Sequence, residues 1–108
     1  MLFNEYQFWT RSTAIYKEEV AINYLINGLA AEAGEVSGKW AKLLRDGPKT
    51  SIEEHNKELV KELGDILWFV ARLSDELGYD LNRVVQMNID KLESRKERKT
   101  LTGSGDNR

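Results

Sequence analysis

Two long segments of this chain place apolar residues three and four positions apart, the period of an α-helix with one buried face. In the first segment, residues 22–44, these are Leu25, Leu29, Val36, Trp40 and Leu43. In the second, which begins after Ser51, they are Leu59, Leu63, Ile66, Phe69, Val70 and Leu73. Between the segments stand Asp46, Gly47 and Pro48, which together end a helix. We therefore predict two long helices joined by one short connection, an arrangement typical of an antiparallel pair.

Capping residues mark the starts of three helices. Asn4 with Gln7 and Ser51 with Glu54 both have the spacing of a capping box, and Asp80 precedes the last apolar stripe as a helix cap would. The stripe of the first short helix is Tyr6, Trp9, Thr13 and Tyr16. The stripe of the last helix is Leu81, Val84, Val85, Ile89 and Leu92.

No segment alternates as a strand would, so the predicted fold class is all-α. We expect a four-helix bundle over residues 1–100 with the antiparallel pair at its centre. Four helices of this size leave much apolar surface around a small core, which predicts self-association. Residues 101–108 continue the polar, glycine-containing stretch TLTGSGDNR, which we expect to be an extended tail.

Composition excludes several classes of function. The 108 residues carry a formal net charge of −2, which disfavours nucleic acid as a partner. No run of about 18 apolar residues is present and the N-terminus lacks the layout of a secretory signal, so we expect a cytoplasmic protein without a membrane partner. There is no cysteine, and the single histidine, His55, is expected to be exposed in a first helical turn. Any metal would therefore be held mainly by oxygen.

Four acids stand in two matched pairs on the long helices: Glu32 with Glu35, and Glu62 with Asp65. Glu32 lies three residues after Leu29 and four before Val36, and thus within the apolar stripe. Glu62 occupies the equivalent place on the next helix. The second acid of each pair lies three residues on, at the edge of the same face.

Carboxylates on a buried face are costly unless they are paired or bind a cation. Ion pairs with lysine or arginine, or solvation at the edge of the stripe, would explain one such acid. Two matched pairs favour a hard divalent ion, and carboxylate-rich oxygen sites suit Mg²⁺, with Mn²⁺ as a substitute. Interior glycines at Gly34 and Gly64 each weaken a helix by about 1 kcal/mol relative to alanine, which close approach of helices or of a ligand would offset. Mg²⁺ bound by carboxylates commonly completes its shell with phosphates, which predicts phosphate chemistry.

The chain resembles the MazG-like nucleotide pyrophosphohydrolases of the all-α type. The resemblance rests on GLAAEAGEV, on ELGDILWFV, on the spacing of Asn88, Lys91 and Arg95 in NIDKLESR, and on the closing GSGDNR. It implies a Mg²⁺-dependent enzyme that cleaves nucleoside triphosphates, (d)NTPs, to the monophosphate and pyrophosphate. It also implies a homodimer or homotetramer, and a role in nucleotide-pool sanitation or remodelling.

The resemblance also implies roles for individual residues. Glu32, Glu35, Glu62 and Asp65 would be the metal ligands and the catalytic residues, with Glu35 favoured as general base because it lies at the edge of the stripe, nearer water. The implied phosphate-binding residues are Lys39, Asn88, Lys91 and Arg95, although a solvated basic face explains the last helix and a surface ion pair explains Lys39 equally well. Trp9 and Thr13 are the predicted nucleobase-binding residues, although aromatic residues at helical spacing more often belong to a core. The tail is implied to dock near a site, in contrast to a disordered end.

Two other functions fit parts of the sequence. A phosphoribosyl-ATP pyrophosphohydrolase would have an EExxE arrangement and a histidine after its second motif, whereas Trp68 and Phe69 follow ELGDIL here. A non-catalytic helical dimerisation module would use the four acids only to fix the register of its helices. The module would show no dependence on a metal.

Overall fold

The computed structural model describes all 108 residues and contains helices but no strands, which confirms the all-α prediction. The first of the two long helices spans residues 21–46, so it begins one residue before the predicted start and ends two residues after the predicted end. Two single turns of 3₁₀-helix, Arg11–Thr13 and Glu18–Val20, link the first two helices. The α-helices are α1 (Phe3–Thr10), α2 (Ala21–Asp46), α3 (Ile52–Glu76) and α4 (Leu81–Glu97). None of them is both long and apolar enough to cross a membrane.

The predicted caps of α3 and α4 are present. Ser51 Oγ accepts a hydrogen bond from the backbone N–H of Glu54 at 3.2 Å, and Asp80 Oδ1 accepts one from that of Arg83 at 2.8 Å. At the end of α2, Gly47 adopts a φ of 75° and its N–H bonds the Leu43 carbonyl at 2.9 Å. These local contacts satisfy backbone groups that a helix end leaves free, which is why the sequence places them well.

The predicted capping box at Asn4 and Gln7 is wrong. The helix begins at Phe3, and both side chains bond distant parts of the chain. Gln7 Nε2 donates to the Ala71 carbonyl at 3.2 Å, and Gln7 Oε1 accepts from the Leu81 N–H at 2.9 Å. Asn4 Oδ1 accepts from the Asn82 N–H at 2.9 Å. The two amides therefore hold α1 against the junction of α3 and α4, a tertiary role that local spacing does not reveal.

Contacts between α2 and α3 form the centre of the fold. Gly28 of α2 faces Phe69 of α3, and Lys39 of α2 contacts Glu58 of α3. Later positions of α2 therefore meet earlier positions of α3. The Phe69 ring lies where a side chain at position 28 would be, since a Cβ there would clash with the ring. At Gly34 and Gly64 a Cβ would meet nothing within 4 Å. Within the chain, the expected close approach of helices thus occurs at Gly28 and not at those two glycines.

The core of the single chain is small. Only ten of 108 residues are buried, and half of those are polar. The accessible surface is 8130 Å², against about 6,100 Å² for a compact monomer of this mass. The radius of gyration is 17.0 Å, where about 13 Å is typical of this length. Much of the predicted apolar stripe, including Leu63 and Trp40, is therefore half exposed.

The C-terminal segment folds back on itself, so the prediction of an extended tail is wrong. The Arg108 guanidinium donates hydrogen bonds to four backbone carbonyls, at Thr100, Leu101, Thr102 and Gly105. Positive φ angles at two glycines allow the chain to turn there. Composition predicts only that such a segment lacks a core of its own, whereas its folded form depends on the hydrogen bonds that Arg108 donates.

Candidate metal centre

Three of the four predicted acids meet at one point between α2 and α3. One carboxylate oxygen from each of Glu32, Glu62 and Asp65 lies within 4.8 Å of the other two. Glu32 and Glu62 are half-buried, and Asp65 is exposed at the mouth of the cluster. The three provide oxygen ligands of the kind that hard divalent cations prefer, so the donor set fits Mg²⁺ or Mn²⁺.

The carboxylates of Glu32 and Glu62 affect each other's pKa. Burial raises the pKa of Glu32, and its hydrogen bond with Glu62 and the nearby charge of Asp65 raise it further. The pKa of Glu62 is lowered, first by the hydrogen bond from Lys39 and also by that from Glu32. The neighbouring negative charges therefore oppose ionisation of Glu32, and a bound cation would relieve that repulsion.

Lys39 supplies the one cation that reaches these acids. Its ammonium lies 2.8 Å from Glu62 Oε1 and 3.4 Å from Glu58 Oε2. Its pKa is raised, chiefly by the hydrogen bond to Glu62. The ion pair that the sequence left open is thus present, and it neutralises at most one of the three carboxylates.

Glu35 lies outside the three-acid cluster. It is exposed, one helical turn beyond Glu32, and it is close enough for its charge to raise the pKa of Glu32. The structure therefore brings together three of the predicted metal ligands and leaves the fourth at their edge.

The predicted base-binding residues lie on and just after α1. The ring of Trp9 is 52% exposed and stacks on Tyr6 with a centroid separation of 6.2 Å. Burial raises the pKa of Tyr6, and Asp65 raises it further, which places this aromatic pair near the acids. Thr13 Oγ1 accepts a hydrogen bond from Trp68 Nε1 at 2.7 Å, so its hydroxyl already has a partner within the chain.

The predicted phosphate-binding residues of α4 contact the folded C-terminal segment. Asp106 Oδ1 lies 3.1 Å from Lys91 Nζ and 3.4 Å from Arg95 Nη2. Arg95 is only 6% exposed, and its Nε atom has no hydrogen-bond partner. Asn88, Lys91 and Asp106 line one end of an otherwise mostly apolar cavity of about 540 Å³ between α3 and α4. The acids of α2 and α3 do not line this cavity.

Sequence reasoning missed two features of the long helices. Tyr24 and Phe69 form an aromatic pair, with centroids 6.0 Å apart, beside an open depression of about 600 Å³ that Glu32 also lines. Gly28 was the available indication, because a glycine inside a helix often marks a position of close packing. The second feature is His55, which is half-buried with a solvent-inaccessible Nε2 that lacks a partner. The prediction of an exposed histidine is wrong.

Comparison with known proteins places these observations in a family. Residues 21–100 match the MazG nucleotide pyrophosphohydrolase domain, which covers α2, α3 and α4 and therefore the acidic cluster. The chain belongs to the MazG family. A relative, the Gene 37 protein of Mycobacterium phage L5, is 41% identical over 109 residues, which span 95% of this chain and 96% of the relative. No solved structure matches the chain.

Membership of the MazG family confirms the resemblance stated from the sequence. It supports a nucleotide as substrate and a pyrophosphohydrolase as the class of enzyme. The name of the phage relative describes no activity, and α1 lies outside the matched residues. The roles of individual side chains are therefore inferred from the geometry of the site.

Proposed function

We propose that this MazG-family protein is a Mg²⁺-dependent pyrophosphohydrolase that cleaves (d)NTPs to (d)NMPs and pyrophosphate. The observation that carries the proposal is the convergence of Glu32, Glu62 and Asp65 within 4.8 Å with only one lysine to balance them. Such a cluster would destabilise the fold if it served only to hold the helices together, whereas its oxygen ligands suit a divalent cation. We expect the reaction to occur in the cytoplasm.

In this proposal Glu32, Glu62 and Asp65 hold the metal and orient it toward the substrate, with Glu35 as the fourth ligand. When bound, Mg²⁺ neutralises phosphate charge and makes water a better nucleophile. Glu35 is the proposed general base, because its exposed carboxylate can reach solvent while it stays within one turn of Glu32. The attack is at the α-phosphorus, and pyrophosphate is the leaving group.

Binding of the triphosphate is assigned to Lys39 and to three residues of α4: Asn88, Lys91 and Arg95. The two basic residues of α4 now contact Asp106, so they must exchange that carboxylate for a phosphate. Trp9 and Thr13 are the proposed contacts of the base. Tyr6 supports this placement, since it stacks on Trp9 and is affected by the charge of Asp65.

The active form in this proposal is a homodimer or homotetramer built on an antiparallel pair of α2 and α3. The support is the large accessible surface, 8130 Å², together with apolar side chains such as Leu63 and Leu67 that remain half exposed on α3. A compact chain of this mass would expose about 2,000 Å² less, and an interface of standard size buries about 800 Å² on each partner. Analytical ultracentrifugation tests this part, and a monomer at micromolar concentration would contradict it.

The experiment that tests the reaction is turnover of a panel of canonical and modified NTPs and dNTPs with Mg²⁺, scored for pyrophosphate release. In ¹⁸O-labelled water we expect the label in the monophosphate, because attack at the α-phosphorus places the new oxygen there. Label found only in orthophosphate would contradict the proposed bond cleavage. Adding phosphoribosyl-ATP to the panel tests the nearest alternative substrate. A helical dimerisation module would turn over none of them.

A further inference from the structure

The connection between α2 and α3 borders a small cavity of about 250 Å³, distinct from the metal centre. Its charged lining consists of Lys39, Lys42, Lys49, His55, Asp46 and Glu58. We refer to this cavity as the basic pocket. Neither the proposed metal ligands nor the proposed base-binding residues line it.

The two carboxylates of the basic pocket already have cationic partners. Asp46 receives two hydrogen bonds of 2.7 Å from Arg45, and Glu58 receives one of 2.9 Å from Lys61. The pKa of Asp46 is lowered first by Arg45 and then by the nearby charge of Lys42. Lys42 and Lys49 form no ion pair of their own. The pocket therefore has an excess of positive charge.

His55 adds a polar group without a partner. Its Nε2 is inaccessible to solvent and forms no hydrogen bond within the chain. Buried polar atoms in proteins nearly always have a partner, because leaving one unpaired is costly. His55 lines the same pocket as Lys42 and Lys49, and an imidazole N–H together with lysine ammonium groups is suited to an anion carrying several oxygen atoms.

The size of the basic pocket limits the ligand. Pockets for drug-sized molecules enclose about 300–1,000 Å³, and this one is smaller than that range. It has room for roughly eight waters at about 30 Å³ each. A phosphate or a pyrophosphate fits this space.

Lys39 connects the basic pocket with the metal centre. Its ammonium contacts Glu58, which lines the pocket, and Glu62, which belongs to the acidic cluster. Glu58 and Glu62 are one helical turn apart on α3. A phosphate group that leaves the metal centre along Lys39 would therefore reach the pocket directly.

We propose that the basic pocket is a binding site for inorganic phosphate anions and that it accepts pyrophosphate released at the metal centre. Only the second half of this statement rests on the proposed function. The anion site itself follows from Lys42, Lys49 and His55 whatever the substrate.

The test uses His55 as a reporter, because it is the only histidine in the chain. The imidazole resonances of the full-length protein are followed by NMR in EDTA while inorganic pyrophosphate, orthophosphate or chloride is added at matched ionic strength. We expect a saturable shift with pyrophosphate, a weaker one with orthophosphate and none with chloride. Equal affinity for the two phosphates would overturn the assignment to pyrophosphate. A shift that follows ionic strength alone would overturn the site.

Variants identify the groups that bind. Lys42→Gln and Lys49→Gln should each weaken pyrophosphate binding about tenfold, as expected for loss of one charge-assisted contact. Lys57→Gln is the matched control, since Lys57 is an exposed residue of α3 that pairs with Glu54 outside the pocket. Unchanged affinity in both pocket variants would overturn the proposal. Pyrophosphate binding without turnover of any NTP would instead leave the pocket in place and contradict the proposed function.

Discussion

Two groups of acids on α3 lie three helical turns apart and differ in how their charge is balanced. Near the C-terminal end, Asp75 accepts hydrogen bonds from Arg11 at 2.8 and 3.0 Å and from Arg72 at 2.6 Å. Glu76 accepts one from the Tyr16 hydroxyl at 2.7 Å and one from Arg72 at 3.4 Å. Two acids therefore meet two arginines, and the group is neutral.

At the metal centre the same helix presents Glu62 and Asp65 to Glu32, with Lys39 as the only cation. Three acids share one positive charge, and burial together with the neighbouring acids raises the pKa of Glu32. The comparison separates two uses of half-buried acids. The balanced group joins the segment between α1 and α2 to α3, whereas the unbalanced group has charge left for a divalent cation.

The largest expected effect concerns turnover. Glu32→Gln, Glu35→Gln, Glu62→Gln and Asp65→Asn should each reduce kcat at least about 100-fold, because each removes a ligand worth several kcal/mol to the transition state. Asp75→Asn, in the balanced group, should leave kcat per folded molecule unchanged. Steady-state assays with saturating Mg²⁺ measure both. A variant with near-normal turnover would remove that residue from the proposed metal shell, and Glu35 is the sharpest case because it lies outside the three-acid cluster.

The next effect is a loss of stability, which should be confined to the balanced group. Asp75 is 18% exposed and Arg72 only 6%, so Asp75→Asn leaves a nearly buried guanidinium with one weaker partner. We expect the free energy of unfolding to fall by about 2 kcal/mol, measured by urea denaturation. Glu93→Gln, at an exposed position of α4 without an ion pair, is the control and should change it by less than about 0.5 kcal/mol. Equal effects of the two substitutions would contradict the account of this group.

A smaller effect should appear in the dependence of stability on pH. The hydrogen bond from Arg11, followed by that from Arg72, lowers the pKa of Asp75 below its ordinary value of 3.8. A lowered pKa gives stability that is complete above the unfolded value and is lost as the pH falls through the folded one. The difference in unfolding free energy between wild type and Asp75→Asn should therefore be constant above about pH 5 and shrink below about pH 4. A difference that persists unchanged at pH 2 would show that Asp75 acts by packing and not by charge.

The helices and the convergence of three acids could be predicted from the sequence, because both depend on short spacings between residues. A run of apolar residues with period 3.6 determines a helix, and the caps at Ser51 and Asp80 involve neighbours three residues away. The acids could be found because a charged residue within an apolar stripe is conspicuous. Their convergence required only that the two long helices pack side by side.

The features that the sequence did not predict depend on contacts between distant residues. Gln7 binds Ala71 and Leu81, and Arg95 meets Asp106 through the folding of the last eight residues. His55 lines a pocket together with Lys39 and Leu43 of α2. No local rule of composition or period specifies such partners, because each depends on how the helices are placed in space.

The measurement that most directly tests the central claim is a set of thermal melts of wild type and Glu32→Gln, in EDTA and in Mg²⁺. Glu32→Gln is the cleaner variant at this site, since Glu62 is also paired with Lys39 and its removal would disturb that contact. If the acids are retained for a cation, removing the charge of Glu32 relieves repulsion and should raise Tm in EDTA by about 3 °C. Wild type should then gain more from Mg²⁺ than the variant does, because it binds the ion more tightly. A variant that melts below wild type in EDTA, with no effect of Mg²⁺ on either protein, would show that the three carboxylates are scaffolding.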